Sequence, residues 1–246
     1  MAERAVKKWI KRAAAGLTDL LYPPRCPLCG DILTGRQIAC PDCLKKEQPI
    51  REPRCKKCGK ALRKEEQEYC EDCEKRKHLY TEGRGIFPYQ GGMKKALLDL
   101  KYQGKRENAL FLGRALANLG RKDVLRWRPE VVIPVPVHRK RRKERGYNQA
   151  ELLARICAEA WGIPMDSQAV VRTHRTKAQK NLDPKERRKN LASAFGAGKS
   201  RKNYKNILII DDIYTTGSTL DGVSRVLLKQ GAEHIYFLTV CIGTGI

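Results

Sequence analysis

Two sets of residues in this 246-residue chain have the types and spacing to do chemistry. The first is ILIIDDIYTTGSTL, residues 207 to 220. An apolar run ends in the adjacent carboxylates Asp211 and Asp212, and Thr215, Thr216, Gly217, Ser218 and Thr219 follow. Neighbouring carboxylates can accept hydrogen bonds from a vicinal diol. A turn rich in hydroxyls and glycine at the start of a helix offers backbone N–H groups and the positive end of the helix dipole to a phosphate. A ribose 5-phosphate has both features. A lone Asp pair after a strand reads equally as a capping turn; the order of strand, acids, loop and helix is what favours the sugar phosphate.

The second set is four CxxC pairs: Cys26 with Cys29, Cys40 with Cys43, Cys55 with Cys58, and Cys70 with Cys73. RCPLCG matches RCKKCG and CPDC matches CEDC, an internal repeat with a period of about thirty residues. A CxxC knuckle lets two thiolates grip one metal, and two knuckles complete a tetrahedral Cys₄ site. A redox CxxC would need one pair alone, and no secretory signal argues for disulfides. Two structural zinc ions are therefore expected. Sequential pairing as a double zinc ribbon is the simplest arrangement, and the repeat leaves an interleaved one open. With thiolate at every position there is no room for a reactive water, so the metal is structural. Cys157 and Cys241 lie in an apolar helix and an apolar strand and are expected to be packing residues.

The elements that must position the acids follow from periodicity. Ile207 to Ile210 form a short unbroken apolar run, as in a strand buried on both faces. Ser218 to Gln230 carries Leu220, Val223, Val226 and Leu227 at helical spacing, and Gly231 stops it. VVIPVPV (131 to 137) reads as the first buried strand, Gln149 to Trp161 as a helix, Gln168 to Arg172 as a strand and HIYFLTVCI (234 to 242) as the last strand. Two helical patterns broken near Gly104 precede them. Alternating strands and helices predict an α/β fold with a mostly parallel sheet and right-handed crossovers, whose ligands bind at the carboxyl ends of the strands. GAGKS, Gly196 to Ser200, looks like the end of an ATPase P-loop. It fails, because the first glycine would fall at Ser193 and no helix fits before the next strand.

Lys and Arg number 51 against 27 acids, a formal net charge of +24, which favours a polyanionic partner such as nucleic acid or a phosphorylated ligand. Residues 41% apolar and strongly patterned exclude a disordered chain. No run reaches the roughly 18 apolar residues of a membrane span. Residues 1 to 21 read as a basic amphipathic helix, with Val6, Trp9, Ile10, Ala13, Leu17, Leu20 and Leu21 on one face and Arg4, Lys7, Lys8, Lys11 and Arg12 elsewhere. That helix either packs on the rest of the protein or docks on an anionic membrane surface. A cytoplasmic protein, with peripheral contact at the inner membrane as the sharper alternative, is expected.

ILIIDDIYTTGST resembles the phosphoribosyl pyrophosphate (PRPP) motif of type I phosphoribosyltransferases. IPVPVHRKRRKERGYNQAELLA (133 to 154) and RTHRTKAQKNLDPKERRKNLASAF (172 to 195) resemble the competence protein F (ComF/ComFC) family, and with the cysteine-rich front end the similarity covers nearly the whole chain. The resemblance implies a double zinc ribbon over residues 22 to 76 and a phosphoribosyltransferase-like domain over 77 to 246. It implies PRPP as ligand, with Mg²⁺ carried in by the diphosphate and ribose hydroxyls. Asp211 and Asp212 would take those hydroxyls, and Thr215 to Thr219 the 5-phosphate. The loop of Val135, Pro136, Val137, His138 and Arg139, running on through Lys140, Arg141 and Arg142, would hold the pyrophosphate. A flexible flap containing Arg172, Thr176, Gln179, Arg187 and Asn190 would close over the ligand; His174 within it reads as an exposed residue. The acceptor is unreadable, and no glutaminase domain fits. The family association with DNA uptake in natural competence adds a second expectation, a non-catalytic single-stranded-DNA-binding adaptor, and makes a competence helicase or other DNA-uptake proteins expected partners.

Overall fold

A computed structural model describes residues 23–35, 37–173, 194–200 and 202–243. Two short helices, α1 (Pro41–Lys46) and α2 (Glu71–Lys75), belong to the cysteine-rich front end. Beyond them run β1 (Glu82–Pro88), α3 (Gly91–Tyr102), α4 (Asn108–Trp127), β2 (Val131–Pro134), α5 (Arg139–Arg145), α6 (Gln149–Trp161), β3 (Val170–Arg172), β4 (Phe195–Ala197), β5 (Asn206–Tyr214), α7 (Ser218–Lys229) and β6 (His234–Ile242). The main sheet has the order β1-β6-β5-β2 and every pair in it is parallel. β3 and β4 form a separate antiparallel ribbon.

VVIPVPV is not the first strand. EGRGIFP comes earlier and pairs with β6, with Glu82 opposite Tyr236 and Phe87 opposite Cys241. Its glycines hid it, and they are there because the sheet is crowded. A Cβ on Gly83 would lie 2.1 Å from the ring of Phe237. The strand predicted over 131–137 ends at Pro134, and the one predicted from Gln168 begins at Val170.

Residue alternation gives the sheet two different faces. Leu208, Ile210, Leu238 and Val240 pack with α3, α4 and α6 in one apolar core. Ile207, Ile209, Ile235 and Phe237 pack with α7 in the other. The cysteine-rich repeats divide between them. Cys26, Leu28 and Leu33 join the first core, whereas Cys55, Cys58 and Cys70 join the second with Tyr80. The front end also covers the outer edge of β1: Ile50 N–H, between the repeats, donates to the Ile86 carbonyl at 2.8 Å, and Gly83 N–H donates to the carbonyl of Lys57, inside the Cys55/Cys58 knuckle, at 2.9 Å. A bare strand edge invites pairing with another chain, and this one is capped from within.

Candidate functional site

The thiols assemble in sequential pairs. Cys26, Cys29, Cys40 and Cys43 form one cluster and Cys55, Cys58, Cys70 and Cys73 the other, the four ligand atoms of each lying within 4.8 Å of one another. The repeat is structural as well as sequential. Gly30 and Gly59, both at positive φ, donate back to the carbonyls of Cys26 and Cys55 at 2.8 Å, folding each knuckle. Cys40 and Cys70 then begin α1 and α2. Four sulfurs so placed fit one tetrahedral Zn²⁺ each, with no position left for water. Burial pushes the thiols of Cys157 and Cys241 up to about 12. They stay protonated and act as packing residues.

Each ribbon also grips the start of a helix. Glu47, just after α1, accepts a hydrogen bond from Gly92 N–H at 2.6 Å in the first turn of α3. The segment leaving the second ribbon does the same for α7. Asp221 accepts from Leu79 N–H at 2.9 Å and pairs with His78 Nδ1 at 2.9 Å. Beneath them the hydroxyls of Tyr80 and Tyr214 meet at 2.8 Å.

That seam underlies the Thr215–Thr219 turn. Gly217 begins α7 at φ +74°, where a Cβ would also meet the His78 ring at 2.7 Å and the Tyr214 hydroxyl at 2.8 Å. Thr215 and Thr216 are exposed, Ser218 and Thr219 half-buried, and the hydroxyls of Thr216 and Ser218 lie 3.0 Å apart. The turn is tight, open and backed by a 12-residue helix.

β5 carries Asp211 and Asp212 to the carboxyl end of the sheet, and strand alternation turns them to opposite sides. Asp212 is buried and pairs with Lys101 of α3 at 2.9 Å. Burial works against the Lys101 ammonium, but the two aspartates outweigh it and hold its pKa above the usual lysine value. Asp211 is half-buried, and its Oδ1 accepts from Asp212 N–H at 2.9 Å. Burial first, and the charge of Asp212 second, push its carboxyl up to about 7, against the pull of Lys101 and Arg172. Arg172 is itself lowered by burial and by Arg141, and raised by Asp211. Residues from β3, α3, α5 and β5 thus share one electrostatic environment.

The basic stretch after β2 is not all loop. Val135 N–H donates to the Ile210 carbonyl at 2.9 Å, the Val135 carbonyl accepts from Asn148 Nδ2 at 3.1 Å, and Pro136, Val137 and His138 are half-buried. His138 then caps α5, its Nδ1 accepting from Lys140 N–H at 3.2 Å. Arg139 to Arg145 is helical where a basic loop running through Arg142 was expected, with His138 capping its start and Gly146 ending it. Of the expected flap, Arg172 lies in β3 and stacks its guanidinium 5.4 Å from the Phe195 ring. Thr176, Gln179, Arg187 and Asn190, like the expected helix over 1–21, lie outside the described residues.

Lys101, His78 and Asp221 were missed by sequence reading. Lys101 alone left a signal: it sits four residues after Leu97 on the buried side of α3, where an apolar residue would be expected.

Residues 17–74 match the double zinc ribbon domain model. Competence protein F of Haemophilus influenzae is 33% identical over 221 residues, covering 86% of this chain and 93% of that protein. The chain belongs to the competence protein F family. ComFC of Bacillus subtilis is 29% identical, covering 81% of this chain and 82% of that protein, and the DNA utilization protein YhgH of Escherichia coli K12 is 27% identical, covering 88% and 83%. Membership accounts for the stretches 133–154 and 172–195 that carried the resemblance. A solved purine phosphoribosyltransferase from Pyrococcus horikoshii aligns over 58% of this chain and 86% of its own, at 16% identity and a TM-score of 0.32, too low to add to the topology described above. Among the described residues no helix is long and apolar enough to cross a membrane.

Proposed function

We propose that the chain binds PRPP and transfers its phosphoribosyl group to an acceptor in the service of DNA uptake. The observation that carries this reading is the placement of Asp211 beside an open Thr/Gly/Ser turn at the carboxyl end of a central parallel strand, with Lys101 and Arg172 in electrostatic reach and Arg141 in reach of Arg172. Asp211 accepts a hydrogen bond from a ribose hydroxyl, and Lys101 holds Asp212 in place through their 2.9 Å contact. Backbone N–H groups of Thr215 to Thr219 hold the 5-phosphate. The bases of α5 and β3 face the negative charge that develops on departing pyrophosphate. Magnesium neutralises the diphosphate when PRPP is bound. One half-exposed carboxylate suits an ion held mainly by its ligand's oxygens, the usual habit of Mg²⁺ at phosphate sites. An oxocarbenium-like transition state asks for charge placement rather than a protein nucleophile.

The relatives named for competence and DNA utilization support a second reading, a single-stranded-DNA-binding adaptor, and the exposed basic face of α5 favours it. A cytoplasmic site of action, peripheral contact at the inner membrane, and a competence helicase or other DNA-uptake proteins as partners belong to the same proposal. Calorimetry with PRPP and Mg²⁺, followed by pyrophosphate release across a panel of nucleobases and amines, tests the enzyme. PRPP binding with turnover on one acceptor establishes it; salt-sensitive DNA binding with no PRPP heat leaves the adaptor.

A further inference from the structure

One flank of α3 is a shallow hollow of about 460 Å³, lined by Lys94, Leu98, Tyr102 and Gln103 and by Lys95 and Asp99, which pair with each other at 3.0 Å. Tyr102 closes its far end and is 66% exposed, the most of any large apolar side chain among the described residues. The Arg145 guanidinium lies 5.1 Å from its ring centroid. At the near end Lys94 Nζ is 5.6 Å from the Tyr89 ring, and alongside, Arg106 is 5.9 Å from the ring of Tyr147, whose hydroxyl donates to the Leu100 carbonyl. Three tyrosines therefore each carry a cation. Arg145 ends α5, on which Arg142 pairs with Glu151 at 3.3 Å, whereas Arg139, Lys140, Arg141 and Lys143 have no ion-pair partner among the described residues.

An exposed ring and a row of uncompensated cations both disfavour a merely structural surface. They are complementary to a polyanion that presents flat aromatic faces. Single-stranded nucleic acid does so at every base, while a duplex hides those faces in its own stack. We propose that the outer face of α3 and the adjoining α5 form a track for single-stranded nucleic acid, with a base stacked on Tyr102 and neighbouring phosphates held by Lys140 and Lys143. Tyr102 follows Lys101, the partner of Asp212, in the last turn of α3. This inference rests on the nucleic-acid reading above and is independent of PRPP.

The test compares a fluorescent thymidine oligonucleotide with an abasic strand of equal phosphate number, by anisotropy over a range of salt. Wild type should bind the thymidine strand more tightly. Tyr102→Ala should weaken it on the order of 5- to 150-fold, the range for one stacked base, and leave abasic binding and the salt slope unchanged. Tyr102→Trp should restore affinity. Lys140→Gln with Lys143→Gln should instead lower the salt slope by about 0.7 per residue on both strands. No binding by wild type at low salt overturns the track and the nucleic-acid reading together. Binding of the thymidine strand that Tyr102→Ala leaves unchanged, or that falls equally on the abasic strand, overturns the track alone. Binding to anionic lipid vesicles in place of either strand also overturns it.

Discussion

At the residue scale, the two acids differ, and substitution should separate them. Asp211→Asn keeps the shape but removes the charge proposed to accept a hydrogen bond from a ribose hydroxyl, a bond worth about 1.5 to 3 kcal/mol. Calorimetry should show PRPP weakened ~10- to 150-fold with thermal stability preserved. Asp212→Asn leaves the mostly buried Lys101 ammonium without its counter-charge, a loss on the order of 3 kcal/mol in folding, so its melting temperature should fall as well. If the two variants behave alike in both measurements, the division of roles fails. Asp211 also sets a pH dependence. Its folded pKa of about 7 stands above the unfolded value of about 3.9, so between those limits the folded state holds a proton that the unfolded state lacks. The stability that proton contributes is present below about pH 4 and is lost as pH rises through 7. Denaturant titrations from pH 5.5 to 8 should show this decline in wild type and a flatter profile in Asp211→Asn.

At the element scale, the zinc ribbons are expected to act on different helices. Purified protein should carry about two zinc ions, and Cys40→Ser or Cys70→Ser should each lose one by mass spectrometry. Structural zinc contributes on the order of 10 kcal/mol to small metal-dependent folds, so the affected ribbon should unfold. Cys70→Ser should then release His78 and Leu79 from Asp221, loosening the Thr215–Thr219 turn and weakening PRPP. Cys40→Ser should free Glu47 from α3 and leave that turn in place. Hydrogen exchange read at α3 and α7 distinguishes the two; equal protection of α7 in both variants would separate the ribbon from the phosphate turn.

At the scale of the whole molecule, the front end is part of the sheet's architecture. One ribbon contributes to each core, and the edge of β1 is hydrogen-bonded by Ile50 between the ribbons and by Lys57 of the Cys55/Cys58 knuckle. Chelation should therefore uncover that edge. A zinc chelator should increase exchange at the Ile50 and Gly83 amides, the two donors of those bonds, and promote concentration-dependent association, measured by light scattering. Unchanged exchange at β1 after both metals are removed would show that the edge is held without the ribbons.

The sequence by itself determined the chemistry carried by adjacent residues. CxxC spacing marked the eight thiolate ligands, and the unbroken run Ile207–Ile210 leading into the acids marked a buried strand followed by a turn, because both are local patterns of side chain and period. The early strand Glu82–Pro88 was not legible, since its glycines answer to Phe237 and Ile242, more than 150 residues away. The order of the strands, the pairing of the knuckles and the division of Asp211 from Asp212 were decided by tertiary structure. Each depends on what stands across a gap in space: α3 had to dock before Lys101 could claim one carboxylate, and the second ribbon had to reach α7 before His78 could hold Asp221.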